Sequence, residues 1–338
     1  MKKKSVTTLD DIAQKLNVTK VTVSKALRNH PDISKKKINL IKITAEKMGY
    51  YPNIAARNLS SEKTNIIGVI VPVITNFFFA HIIEAIYDAA FKNEYDILLT
   101  VSQENNERER KHLETMLSMR VEGIIISVAE NTENLDLFHE IKKRGIPLVF
   151  FDRTLDSEEF STVTNNNVEG AFNAVERAIV KGYNKIGHIA GWNHVNIGRE
   201  RYTGFKKAMN KHNIPINREW VVRGGFGKED GYKGFMKLYE NKNLPDFIFA
   251  VTYPVALGLY EAIDKVGMKI PEDIDIICFG NSDINEYLTP TLSCIDQHSK
   301  ELGEKTFGLL MKHINGGGEY KPEFVKIGAD LLIHETCV

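Results

Sequence analysis

Apolar positions recur at helical spacing through residues 9–48, and a different pattern follows. Leu9, Ile12, Ala13 and Leu16 share one face of a short helix opened by Thr8, with Asp11 three residues on in a capping-box position. Asn17 suits a helix C-cap, and Thr19 caps a second helix whose Val23, Ala26 and Leu27 cluster on one side. Ser34 opens a third, with Ile33 and Ile38 at the two positions of a hydrophobic staple. Ile38, Ile41, Ala45 and Met48 share its inner face until Gly49 stops it. Beyond Asn65, buried-strand runs are expected at 66–71, 97–101, 123–128, 147–151, 185–190, 220–223, 247–251 and 274–279. Helical stretches fall near 79–93, 107–119, 134–143, 167–181, 199–212, 229–240 and 254–266. That alternation predicts parallel sheets covered on both faces. Eight strands exceed one typical sheet of this type, so two doubly wound subdomains are expected.

The outer face of the second helix changes the picture from fold to function. Lys20, Val21, Ser24, Lys25 and Arg28 lie there together, so a valine stands in the middle of a wet, cationic surface. A helix in the major groove gives that valine a reason. It can meet a thymine methyl while its cationic neighbours meet phosphates or guanine edges. Lys35, Lys36 and Lys37 occupy the first turn of the third helix, where the helix dipole disfavours cations and a phosphate would reward them.

Charge separates this head from the rest. Residues 1–65 hold 14 Lys+Arg against 5 Asp+Glu, leaving 30 against 39 for the remainder of a chain with 44 of each. A net charge of zero therefore hides a head of +9 on a body of −9, which suits a module bound to a polyanion. No stretch approaches the roughly 20 apolar residues of a membrane span. The start, MKKKSVTTLDD, has a basic run with no apolar segment behind it, so no secretory signal is expected. Cys278, Cys294 and Cys337 are few and scattered; they form no metal or disulfide framework and suit a reducing cytoplasm.

Ligands of doubly wound folds sit outside the carboxyl ends of the strands, and the residues there are informative. They are Asn76 with Phe77, Phe78 and Phe79 after the first run, Asp152-Arg153 after the fourth, Gly191 to Asn196 leading to Arg199 and Arg201 after the fifth, and Gly280 to Asp283 after the eighth. Aromatic plates beside carboxylate, amide and guanidinium groups can hold a sugar, a nucleobase or a similar metabolite. Enzyme signals are weak. GGFGKEDG, residues 224–231, lacks the Ser/Thr of a P-loop, the glycines at 316–318 follow no strand, and His188 and His194 have no metal-ligand spacing. No cofactor or metal is expected.

The head segments VTKVTVSKALRNHPDIS and MGYYPNIAARNL resemble the LacI/GalR family of bacterial transcriptional regulators. The body blocks IGVIVPVITNFFFAHIIEAI, EGIIIS, IPLVFFDR, RYTGFKKAM, IPEDIDIICFGN and TPTLSCIDQ resemble its effector domain, which is similar to periplasmic sugar-binding proteins. The resemblance implies an all-α helix-turn-helix head (1–51), a hinge helix and linker (52–64), and an α/β periplasmic-binding-protein-like domain (65–338) of two doubly wound parallel-sheet subdomains. The first subdomain would span about 65–161 and 293–322, the second about 162–292 and 323–338. By position, Lys20, Val21 and Lys25 would face base edges and Thr22 and Ser24 would sit near the backbone, with Thr19 and Arg28 also in the DNA-binding set. Asn53 to Leu59 would form the hinge, with Ala56 packing beside Leu59 as a minor-groove wedge. Phe78, Phe79, Asp152, Asn196, Arg201, Phe226 and Ser282 would contact an effector, with Asn76 at the same loop.

A homodimer on a pseudopalindromic operator, answering a sugar-like or alternatively a nucleobase effector, is the implied function; a solute-binding protein without regulatory role is the rival reading. The chain also departs from the family pattern. Ser282 stands where an Asp is common, Thr252-Tyr253 where Asn-Asp is, Asn166 where Asp is, and Lys25 where Arg is. The last change turns a bidentate donor into a point charge.

Overall fold

In the computed structural model, which describes residues 7–51, 64–317 and 320–338, the chain divides into two compact units, Met1–Thr64 and Asn65–Val338. Within the first, helix α1 (Leu9–Leu16) opens on the expected capping box: the Asp11 N–H donates to Thr8 Oγ1 and the Thr8 N–H to Asp11 Oδ2. Asn17 closes the helix in the left-handed region at φ 51°. Thr19 and Ser34 cap α2 (Lys20–Leu27) and α3 (Lys35–Lys47), and Gly49 follows at φ 65°. Ile12, Ala13, Val23, Ala26, Ile41 and Ala45 form the core of this unit. Each fully buried Ile or Val contributes roughly 1.5–3 kcal/mol, so so small a core leans on its caps.

The second unit carries two six-stranded sheets. Its strands are β1 (Ile66–Val71), β2 (Asp96–Val101), β3 (Gly123–Ile126), β4 (Leu148–Phe151), β5 (Ser161–Asn165), β6 (Ile186–Ala190), β7 (Val221–Arg223), β8 (Phe247–Ala250), β9 (Asp275–Phe279), β10 (Ser293–Asp296), β11 (Phe324–Ile327) and β12 (Asp330–Leu332). The first sheet runs β11-β5-β4-β3-β1-β2 and is parallel throughout. The second runs β12-β10-β9-β8-β6-β7, with only the β10–β12 pair antiparallel. Helices α4 (Phe77–Lys92), α5 (Asn106–Met119), α6 (Leu135–Lys143), α7 (Asn167–Val180), α8 (Asn196–Lys211), α9 (Lys228–Glu240), α10 (Tyr253–Lys265) and α11 (Ser299–Asn315) cover them.

Alternation along each strand sends side chains to opposite faces. Ile67, Val69, Ile125, Val149 and Phe151 pack against Phe79, Ile82, Leu302 and Leu310 of α4 and α11. Ile70, Ile124, Ile126 and Phe150 meet Leu113, Met116 and Phe138 of α5 and α6. The second sheet repeats this plan against α9 and α10 on one side and α7 and α8 on the other.

All eight expected runs form strands, and the seven expected helical stretches form helices. The expected subdomain boundaries need correction. Ser161–Asn165 pairs with β4 and β11, so it completes the first sheet, whereas Ser293–Asp296 pairs with β9 in the second. The chain crosses between sheets after Asn165, after Asp296 and after Ile327. Residues 293–296 thus leave the first subdomain, and residues 162–165 and 324–327 join it. Strand pairing decides membership, and pairing between segments far apart in sequence leaves no local trace.

Candidate functional site

In the first unit, α2 presents the expected face. Val23 and Ala26 are fully buried, while Val21 is 64% exposed. Around it, Lys20 Nζ sits 2.7 Å from Asp10 Oδ2, and Lys25 Nζ 2.7 Å from Asp32 Oδ2. Lys25 holds the Asp32 carboxyl below its usual range, with help from His30. These partners are exposed, so water screens the pairs and a phosphate can replace either carboxylate. Thr19 Oγ1 accepts the Thr22 N–H that the cap requires. Arg28 donates to the Ser24 carbonyl and hydroxyl, which tethers its guanidinium beside the helix. Lys35, Lys36 and Lys37 are exposed. Asn53, Ala56 and Leu59 lie outside the described residues.

In the second unit a cavity of about 480 Å³ opens at the carboxyl ends of both sheets. The β1 loop contributes Asn76, Phe78 and Phe79; the end of β4 contributes Asp152 and Arg153. Arg201, Phe226, Tyr253 and Ser282 close it from the second sheet's side, and Gln297 lines it from a crossover segment. Asn76 caps α4, its Oδ1 accepting the Phe78 N–H, and so fixes where the aromatic loop enters the helix. Phe78 and Phe79 meet edge to face at 5.3 Å between ring centres. Gly280, at φ 104°, leaves room that a side chain would take: a Cβ there would come within 2.8 Å of Gln297 Oε1.

Arg201 and Asp152 set the electrostatics. Arg201 is 1% exposed; its Nε donates to Asn167 Oδ1 at 3.0 Å and its Nη1 to the Val251 carbonyl at 2.7 Å. Its guanidinium lies 3.8 Å from the centre of the Phe279 ring. Burial pulls its pKa down to about 10, and Asp152 opposes that shift. Burial pushes the Asp152 carboxyl up, countered first by Arg201 and then by Arg153. Asp152 also holds a left-handed backbone at φ 54°. Such strain persists only where neighbours enforce it, and here Asn196 does so. Its Nδ2 donates to the Asp152 carbonyl at 2.8 Å and its Oδ1 accepts the Thr154 N–H.

Asn196 thus braces the Asp152 turn and is not among the residues that line the cavity. The other seven expected residues, Asn76, Phe78, Phe79, Asp152, Arg201, Phe226 and Ser282, all line the cavity. Thr252, at a position that departs from the family pattern, caps α10 and donates to the Phe226 carbonyl, so it holds the loop opposite.

Glu104, Glu130, Asp230 and Gln297 also line the cavity and were not expected from sequence. Glu104 accepts from Arg153 Nη1 at 2.7 and 2.9 Å, and Arg153 lies 4.9 Å over Phe226. Their signal was faint because Glu104 and Glu130 follow strands as single acids in polar loops. His188 is buried among Tyr202, Phe205 and Phe249, and His194 stacks on Trp192. Among the described residues no group of three His, Cys, Asp or Glu could hold a metal ion. No helix among them is long and apolar enough to cross a membrane.

Known proteins match this division. Residues 8–53 match the family described as bacterial regulatory proteins, lacI family, and residues 175–337 a periplasmic binding protein-like domain. The HTH-type transcriptional repressor PurR of Pasteurella multocida is 32% identical over 330 residues, covering 97% of this chain and 98% of that protein. A LacI family transcriptional regulator from Enterococcus faecium, solved with bound ribose, is 27% identical with a TM-score of 0.70 over 80% of this chain and 97% of its own. The fold also matches the lac repressor dimer bound to operator and the anti-inducer ONPF, at 20% identity and a TM-score of 0.86, covering 99% of this chain and 100% of that one. With its capped basic helix and its two-sheet body, the chain belongs to the LacI family of bacterial regulatory proteins.

Proposed function

We propose that this regulator is a repressor that grips a pseudopalindromic operator as a homodimer, and that a small polar metabolite of the sugar class in the cavity sets the strength of that grip. The observation that carries the DNA half is Val21, an exposed valine ringed by Lys20, Lys25 and Arg28 on a helix whose opposite face is core. An apolar side chain so placed reads a thymine methyl, and the cations anchor to phosphate. Two copies related by a two-fold axis would put two such helices in grooves about one helical turn apart.

The cavity supports the second half. Its buried Asp152 and Arg201 offer a fixed acceptor and donor of the kind that orient sugar hydroxyls, and a ribose-bound member of the family points the same way. The aromatic lining from Phe78, Phe226 and Tyr253 favours a second reading, a flat nucleobase. A ligand that prefers one of two cleft states shifts operator affinity by its differential binding, typically about 1–3 kcal/mol, and the coupling is reciprocal.

The test is selection of the full-length protein on random duplex DNA, followed by a thermal-shift screen against sugars and nucleobases. A recovered site with two-fold symmetry is expected, together with a melting shift from the sugar set. Sequences without symmetry would refute the dimeric reading, and a shift from nucleobases alone would replace the sugar class.

A further inference from the structure

We propose that residues 192–199 of the second subdomain form a clasp on the first, and that Arg199, acting through Asp156, is a positioning residue that sets how far the cleft around the cavity closes. The proposal rests on the reading of the cavity as an effector site and names the contact that regulates it. The chain passes between the two sheets only at three crossovers, so contacts elsewhere between the subdomains are free to form and break as the cleft moves.

Three side chains of this one segment cross to the first subdomain. Asn196, the first residue of α8, is 3% exposed and holds the Asp152 carbonyl and the Thr154 N–H. Trp192 reaches Glu130 in the loop after β3. Arg199, one turn along α8 from Asn196, pairs through Nη2 with Asp156 Oδ1. Its Nη1 donates to the Asn193 carbonyl at 3.4 Å, which aims the guanidinium. Gly198 seats the Trp192 turn tightly on the helix, because a Cβ there would collide with the Trp192 carbonyl oxygen. None of the three side chains lines the cavity, yet their partners Glu130 and Asp152 do, and Asp156 lies four residues beyond Asp152. Movement of this segment against the first subdomain therefore moves the cavity wall.

Arg199 breaks a local rule. The helix dipole disfavours cations near a helix N-terminus, and the first turn of α8 holds no acidic residue to offset this one. The compensating carboxylate comes from the other subdomain, and among the described residues neither Arg199 nor Asp156 forms another ion pair. A local conflict resolved only from across the cleft marks a residue that serves the cleft. The two side chains are 34% and 70% exposed, so the pair shifts an equilibrium by about fivefold at most. That strength suits a contact that must open as well as close.

The test uses the full-length protein with Trp220→Phe as parent, which leaves Trp192 as its sole tryptophan. Acrylamide quenching of Trp192 reports the clasp, and anisotropy on the selected duplex, with no ligand added, reports the operator. Arg199→Asp gives α8 the acid its dipole favours but sets like charges at positions 156 and 199. Quenching should rise and the melting temperature should hold. Operator affinity should change about threefold to tenfold, the scale of a surface ion pair exchanged for a repulsion. Adding Asp156→Arg restores the pair with its charges reversed and should return both readings to the parent's values. Readings that do not move with Arg199→Asp overturn the proposal, as does a lowered melting temperature that the reversed pair leaves uncorrected. Quenching that responds while operator affinity stays fixed overturns the regulatory role. A parent that selects no duplex fails the underlying reading, and the quenching arm then judges the clasp by itself.

Discussion

Lys20 and Lys25 in the first unit stand in water beside exchangeable carboxylates, whereas Arg201 in the second is 1% exposed and fixed by a carbonyl, an amide and an aromatic face. Exposed cations are screened, long-lived in no one geometry, and suited to a polyanion whose many phosphates add up. A buried guanidinium is expensive to desolvate and has one geometry, which suits selecting one small molecule. Under the proposed function the same residue types do opposite work according to burial: the first unit uses charge for reach, the second for discrimination.

Removing the buried charge should do the most damage. Arg201→Ala leaves Asp152 and Asn167 facing an empty space, so a loss of about 3–5 kcal/mol in stability is expected together with loss of the ligand-induced melting shift. Denaturant melts with and without ligand check this, and an unchanged ligand shift would take Arg201 out of the site.

Next in size is His188, whose pKa burial lowers to about 4. A depressed histidine is neutral in the folded state, so its share of stability is present above about pH 6.5 and is lost as pH falls toward 4, by about 3 kcal/mol in all. His188→Phe, in a pocket already lined by Phe205 and Phe249, should flatten that part of the profile; identical profiles for both proteins would refute the buried-neutral reading.

The exposed face should respond more gently. Lys25→Ala is expected to leave folding unchanged, weaken operator binding roughly fivefold at moderate salt, and lower the salt slope by about 0.9. A larger loss without a change in slope would mean that Lys25 reads a base. Smallest of all, Val21→Ala should relax preference at one base pair by roughly 1 kcal/mol. Repeated site selection yielding an identical consensus would contradict groove contact by Val21.

The comparison also shows what a linear reading reaches. The head was legible almost residue by residue, because caps, staples and a 3.6-residue period are local: Thr8, Asn17, Thr19 and Ser34 all act where their chemistry predicts. In the body, strands buried on both faces announced themselves as apolar runs. Helix α11 escaped notice because Gly303 and Gly308 interrupt its pattern. Gly303 is there for packing, since a Cβ would lie 2.7 Å from the Ile82 carbonyl oxygen. The strand Ser161–Asn165 is polar at every position but Val163, and β11 and β12 are edge strands with exposed positions, so neither composition nor period marks them. The cavity was legible where residues follow a strand directly, as Asp152 does. Glu104, Glu130 and Asp230 converge only through tertiary folding, and Asn196 shows the converse case, a polar residue after a strand whose bonds go to the Asp152 turn.

The most direct test of the account is fluorescence anisotropy of the full-length protein on its selected duplex and on a scrambled duplex, across a salt series, with and without the sugar that shifts its melting. Steep salt dependence on both duplexes, tighter binding to the selected one, and a sugar-dependent change confined to the selected one are the results predicted. Equal affinity for the two duplexes at every salt concentration, indifferent to the sugar, would contradict it.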